Sequence, residues 1–204
     1  MRNKNYNLTL LFVFTIGLAL NLEAKQPSEL YQSCTACHGE QGQGNEAIHA
    51  PEIAGQHAWY LQKQLQDFKH GRRGVKAKDL LGKQMAAMMK PLSDKDIIEL
   101  SEYISSFNTS SNQVNTTTEH MNGYRYYQAK CGACHGGVAE GNQAFSAPRL
   151  AGLGIEYLQR QMSHFKTGIR GYAQDDKVGR QMAMMSKIVN DKELGDILNY
   201  VSKL

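Results

Sequence analysis

The chain has no long run of one charge, no basic stripe interleaved with aromatics, and no alternation of strand-like and helix-like stretches. The first two absences argue against a nucleic-acid binder. The third removes the βαβ scaffold on which a Cys-x-x-Cys pair would read as a thiol–disulfide oxidoreductase. No apolar run spans a bilayer comfortably either, because Leu8 to Leu20 falls short of the ~20 residues that a membrane helix needs. Cysteine is scarce: there are four in 204 residues, and their placement carries most of the information in the chain.

The start of the chain resembles an export signal. Arg2 and Lys4 precede the apolar stretch Leu8 to Leu20, and Leu22-Glu23-Ala24 offers a processing site before Lys25. Residues 1–24 are therefore expected to be a cleaved signal peptide, with an uncleaved N-terminal anchor as the competing reading. Losing Arg2, Lys4 and Glu23 takes the formal charge from +4 to +3, close enough to neutral to say little about partners.

All four cysteines lie in two copies of one pattern, Cys34-Thr35-Ala36-Cys37-His38 and Cys131-Gly132-Ala133-Cys134-His135. Cys-x-x-Cys-His is the attachment signature of c-type haem. Two thiols add across the haem vinyl groups, and the adjoining histidine places an imidazole beneath the iron. Two covalently bound haem c groups are expected. Covalent haem attachment in bacteria takes place outside the inner membrane, which agrees with export and places the mature chain in the periplasm, soluble or loosely membrane-associated.

The repeat extends beyond the motif. The same offset of 97 that carries Cys34 to Cys131 pairs Gly44-Asn45 with Gly141-Asn142, Ala50-Pro51 with Ala147-Pro148 and Tyr60-Leu61-Gln62 with Tyr157-Leu158-Gln159. It also pairs Phe68-Lys69 with Phe165-Lys166, Arg73-Gly74 with Arg170-Gly171, Gln84-Met85-Ala86 with Gln181-Met182-Ala183, and Tyr103 with Tyr200. The expected organisation is a tandem duplication: residues 25–107 as an N-terminal domain, 108–119 as a polar linker and 120–204 as a C-terminal domain. Domains of roughly 80–90 residues bury a modest fraction of their surface, and a covalently held haem would give each core a large apolar plate.

Each half reads as helices separated by long loops. One helix runs from about Ser28 into the first motif, matched by about Met121 to His135. Glycine-rich loops follow, 39–55 and 136–154. Apolar steps at Leu61, Leu65 and Phe68 predict a helix over 58–70, and Leu158, Met162 and Phe165 one over 155–167. Ser93 with Asp96, and Asn190 with Glu193, signal the start of a last helix. Its core stripe is Ile97, Leu100, Ile104 and Phe107 in one copy, and Leu194, Ile197, Leu198 and Val201 in the other.

The sixth iron ligand separates electron transfer from open-site chemistry. His49, His57, His70, His120 and His164 have no histidine twin, which argues against a shared bis-histidine arrangement and marks them as surface residues. Methionines do recur, Met85 with Met182 and Met88 with Met185. A thioether is a soft donor suited to reduced iron. Met85 and Met182 are the favoured ligands, with Met88 and Met185 as core gap-fillers; a copper-binding methionine cluster would leave both irons short of a ligand. Lys63, Lys69, Arg72, Arg73, Lys166 and Arg170 are read as a solvated face, with steering of an acidic partner as the alternative.

The pattern Tyr31 with Cys34-x-x-Cys37-His38-Gly39, Ala50-Pro51, Ala54-Gly55-Gln56, Tyr60-Leu61-x-x-Gln64-Leu65-x-x-Phe68-x-x-Gly71-x-Arg73, and Met85 seven residues before Leu92-Ser93-Asp94 resembles the cytochrome c4 family of dihaem class I c-type cytochromes. The likeness covers both halves. It departs at Glu52, at Gly152-Leu153 in place of Gly55-Gln56, and at Val189 in place of Leu92. The resemblance implies an all-α fold of two tandem cytochrome c domains. It selects Met85 and Met182 as distal ligands opposite His38 and His135, and it implies that the Pro51 and Pro148 carbonyls accept hydrogen bonds from the proximal imidazoles. It also implies a periplasmic electron carrier rather than an enzyme, taking single electrons from a membrane quinol-oxidising complex and passing them to a terminal oxidase. The alternatives are an electron-transfer subunit of a periplasmic dehydrogenase and a dihaem peroxidase, which needs one unequal, openable haem.

Overall fold

A computed structural model of the chain describes residues 25–109 and 121–204. The signal peptide expected at 1–24 and residues 110–119 of the expected linker lie outside the described residues, as does His120. Among the described residues there is no strand, only single bridges between Asn45 and Ala50 and between Asn142 and Ala147.

The first half holds α1 (Pro27–His38), α2 (Ala58–Lys69), α3 (Leu80–Met89) and α4 (Asp94–Ser105). The second holds α5 (Met121–Tyr127), α6 (Ala133–His135), α7 (Ile155–Lys166), α8 (Lys177–Met185) and α9 (Asp191–Val201). Both predicted starts of the last helix are closed capping boxes: Ser93 Oγ accepts from Asp96 N while Asp96 returns a bond to Ser93 N, and Asn190 and Glu193 do the same. Each box satisfies two otherwise orphaned N–H groups. Helix α1 adds Pro27 in its first turn, where a missing N–H costs nothing.

The predicted stripes are the cores. Ile97, Leu100 and Ile104 pack with Leu30, Tyr31, Leu61, Leu65 and Phe68, whereas Leu194, Ile197, Leu198 and Val201 pack with Tyr127 and Leu158. The first helix of each half crosses the last, and α2 lies against both α3 and α4.

Two features of the helices escape the sequence pattern. Helices α3 and α8, which carry the methionines, are absent from the reading above. Asp79 and Asp176 cap them by accepting from the backbone N–H of Gly82 (2.9 Å) and Gly179 (3.1 Å), but a glycine in the first turn lowers helix propensity and obscures the signal. The single helix expected from Met121 to His135 is also broken: residues 128–132 form one wide π turn between α5 and α6. The buried tyrosine hydroxyl that meets a glycine carbonyl belongs to Tyr31 in one half and Tyr127 in the other, each at 2.6 Å. Tyr31 precedes Cys34 by three positions and Tyr127 precedes Cys131 by four. The π turn absorbs that extra residue without rotating either end of the helix away from the core.

Candidate haem sites and the seam between them

Each attachment motif ends a helix. His38 and His135 are buried, 6% exposed each, and Cys34, Cys37, Cys131 and Cys134 stand as free thiols. The chain then turns back on itself through the glycine-rich loop. Gly44 sits at φ +79° and Gly141 at φ +87°; a Cβ on Gly44 would meet Pro51 C at 2.7 Å, and one on Gly141 would meet Pro148 C at 2.8 Å. Only glycine combines that dihedral with that approach. The approach brings the Pro51 carbonyl to 2.9 Å from His38 Nδ1, and the Pro148 carbonyl to 2.9 Å from His135 Nδ1.

A carbonyl oxygen only accepts, so Nδ1 carries the proton in both rings and Nε2 keeps its lone pair. Burial lowers the pKa of each imidazole, and the proline carbonyl only partly offsets it. Both rings are thereby held in the neutral tautomer that coordinates a metal. Burial pushes the Cys131 thiol up to about 11 and raises Cys34 too. Reactive Cys-x-x-Cys cysteines have the opposite shift, so these two thiols lend the oxidoreductase reading no support. The neighbouring Tyr31 hydroxyl is raised to about 12 by burial and remains a donor to Gly39.

Both motifs open onto one cavity of about 600 Å³. Its walls in the first half include Leu61, Leu65, Phe68 and Met85, and in the second Leu158, Phe165, Val201 and Met182. Met85 and Met182 are half-buried on α3 and α8, and Met85 packs against the core. The expectation of Met88 and Met185 as core is overturned: they are 41% and 36% exposed and stand on the same cavity. Three residues on from Met85 is the same helix face; the core is filled instead by Met89, 2% exposed, and by Ser186 in its twin position.

The six basic residues read as a solvated face are not one. Arg73 and Arg170 are buried at the seam between the halves. Arg73 Nη1 donates to Gln64 of its own half (2.6 Å) and Nη2 to Gln161 of the other (3.2 Å). Arg170 mirrors this, with Nη1 to Gln161 (2.8 Å) and Nη2 to Gln64 (2.7 Å) and to Tyr60 Oη (2.9 Å). Each guanidinium also lies over a phenylalanine, Phe68 or Phe165. Lys63 bridges Asp67 and, across the seam, Asp176 (2.9 Å). Arg72 reaches Asp67 and Asp175, while Lys69 and Lys166 pair with Asp94 and Asp191.

The surface assignment of the histidines also needs correction. His49 and His70 are exposed, but His57 meets the Glu140 carbonyl across the seam at 2.8 Å and His164 lies 3.9 Å from Asp79. Lone histidines without a twin are used here where the two halves meet.

The cavity suits a flat apolar macrocycle with an anionic edge. Its walls are aliphatic and aromatic, its two imidazoles are fixed with Nε2 unprotonated, and the four cysteine thiols line it too. Arg73, whose Nε is buried without a hydrogen-bond partner among the described residues, also lines it. Burial pushes the Arg73 pKa down and the adjacent Arg170 charge adds to this, so an anion there would relieve both.

Comparison with known proteins gives one direction. The Cytochrome c family profile matches residues 24–108 and 120–204. The chain is 31% identical to cytochrome c4 of Azotobacter vinelandii over 84% of both chains. It superposes on the crystal structure of reduced recombinant cytochrome c4 from Pseudomonas stutzeri with a TM-score of 0.70 at 28% identity, covering 87% of this chain and 96% of that one. It is also 26% identical to a thiosulfate dehydrogenase electron acceptor of Stutzerimonas stutzeri (strain A1501), over 84% of this chain and 79% of that one.

Proposed function

We propose that this chain, which belongs to the cytochrome c4 family of dihaem electron carriers, shuttles single electrons in the periplasm between a quinol-oxidising membrane complex and a terminal oxidase. The observation that carries the reading is the duplicated donor set. His38 with Met85, and His135 with Met182, border one shared cavity with both imidazoles locked through Nδ1.

In this reading Cys34 and Cys37 anchor one haem, and Cys131 and Cys134 the other. His38 and His135 would offer Nε2, and Met85 and Met182 their thioether sulfurs, to the irons. Haem supplies a one-electron ferric/ferrous couple. The chain's part would be to hold each haem with one imidazole and one thioether, and to keep water from it with Leu61, Phe68, Leu158 and Phe165. Thioether ligation favours the reduced state and raises the potential. Arg73, whose buried Nε has no hydrogen-bond partner among the described residues, would offer that N–H to a haem carboxylate at the seam. Residues 1–24 direct export, and 108–119 connect the halves; no helix among the described residues is long and apolar enough to cross a membrane.

A second reading keeps the chemistry and changes the donor. The likeness to a thiosulfate dehydrogenase electron acceptor favours reduction by a periplasmic dehydrogenase. Stopped-flow reduction of the purified holoprotein by each donor class distinguishes the two. Fast reduction by quinol-oxidising membranes, with none by a periplasmic dehydrogenase fraction, supports the first reading; the reverse replaces it. Intact mass must show two covalent haems, and a single haem per chain refutes both.

A further inference from the structure

The two iron sites are built from the same residues, yet one of them is reached by the other half of the chain. Gln56 belongs to the first half and is 6% exposed. Its side-chain amide clamps the backbone of Arg149 in the second half: Nε2 donates to the Arg149 carbonyl at 2.9 Å, and Oε1 accepts the Arg149 N–H at 3.1 Å. His57 N also donates to Oε1, at 3.2 Å, and holds the amide in that orientation.

The Arg149 N–H and the Pro148 carbonyl are the two ends of one peptide unit. That carbonyl accepts the Nδ1–H of His135 at 2.9 Å. A continuous chain therefore runs from Gln56 Oε1, through the Arg149 N–H and the conjugated amide, to the Pro148 oxygen and the imidazole. Hydrogen bonds in series polarise one another. An acceptor on the N–H of an amide pushes electron density onto its oxygen, which then draws the Nδ1 proton of the imidazole more strongly and makes Nε2 a better donor.

We propose that Gln56 is a positioning residue of the N-terminal half that lowers the reduction potential of the C-terminal haem by polarising the Pro148–Arg149 peptide behind His135. The inference rests on the reading of His135 as an iron ligand. It works in one direction only. The position equivalent to Gln56 in the second half is Leu153, whose side chain has no acceptor to return to the Pro51–Glu52 peptide behind His38. Two haems with the same ligands are thus made unequal by one amide at the seam, and the inequality exists only while the halves stay docked.

The test uses holoprotein with both haems attached. Midpoint potentials are followed haem by haem through resolved NMR signals during a redox titration, and the Nδ1–H resonances of His38 and His135 are recorded in the reduced state. Gln56→Leu, which copies Leu153, is expected to raise the potential of the C-terminal haem, leave the N-terminal haem in place, and move the His135 Nδ1–H signal upfield with His38 unchanged. Gln56→Glu keeps an acceptor with more charge and is expected to move the His135 signal downfield, so the proposal remains testable if the leucine variant does not mature. Equal shifts at both haems, or a His135 signal unmoved by the variants, overturn it. Failure of the unaltered protein to show two low-spin haems with a His135 Nδ1–H signal would instead remove the ligand reading beneath it.

Discussion

Arg170 Nη2 lies 2.7 Å from Gln64 Oε1, a residue of the other half of the chain, and Arg73 Nη2 makes the reciprocal approach to Gln161 at 3.2 Å. The duplication thus closes on itself around a pseudo-two-fold centre in which each glutamine oxygen serves both arginines.

Gln64→Leu removes one of the two shared acceptors and leaves donors of both buried guanidiniums unpaired. Loss of hydrogen bonds from buried charged groups costs about 1.5–3 kcal/mol each. The variant should lower the unfolding midpoint of the holoprotein in denaturant while retaining two haems per chain. An unchanged midpoint would mean that the quartet contributes nothing to holding the halves together.

Met85→Leu and Met88→Leu separate two methionines on one helix face. The first should abolish the sulfur–iron band at one haem of the two, halving its amplitude in the oxidised spectrum, and lower that haem's potential. The second should leave the band whole. The opposite result transfers the ligand role to Met88, and a band unaffected by either variant dismisses both from α3.

Acid should loosen the seam through Asp176. Burial alone would raise its carboxyl pKa, but Lys63 and the Gly179 N–H outweigh burial and hold it below the ordinary carboxylate range. A folded-state pKa below the unfolded one means that the unfolded chain binds the proton more tightly. The stabilisation is therefore complete above the unfolded value of about 3.9 and is lost as pH falls through the depressed folded value. Asp176→Asn, which keeps an oxygen to cap α8, should be less stable at neutral pH and show a smaller loss on acidification. Parallel acid curves for the variant and the unaltered protein would contradict this.

Gly123→Ala tests the close crossing of α5 on α9. A Cβ there would press on the Asp196 carbonyl and approach Tyr200 Cβ to 2.7 Å. Overpacking of this kind costs about 1–3 kcal/mol, and the loss should fall on the C-terminal half. Domain-resolved hydrogen exchange would show α5 and α9 opening faster with α1 and α4 unaffected; uniform acceleration would argue against a local clash.

The haem motifs, the repeat, the capping boxes and the apolar stripes are legible in the chain because each is local: a helix writes its buried face into its own sequence every three or four residues. Residues with the same composition as a solvated surface are illegible for the same reason. Lys63, Arg72 and Arg73 lie on or just after one predicted helix, yet only Arg73 is sealed against its twin. Met88 and Met89 are neighbours, and only the rotation of α3 against the core leaves the first exposed and buries the second. The extra residue before Cys131 is countable in the sequence, but its conversion into a π turn required two fixed ends, Tyr127 in the core and His135 behind Pro148.

The sequence by itself determined that there are two haem-binding helical units and which residues are the candidate donors in each. Tertiary structure alone decided which faces of those units meet, and so that Gln56 stands behind the other unit's histidine. Pairing of polar side chains at a seam depends on the relative placement of segments far apart in the chain. That placement leaves no periodic trace in either segment.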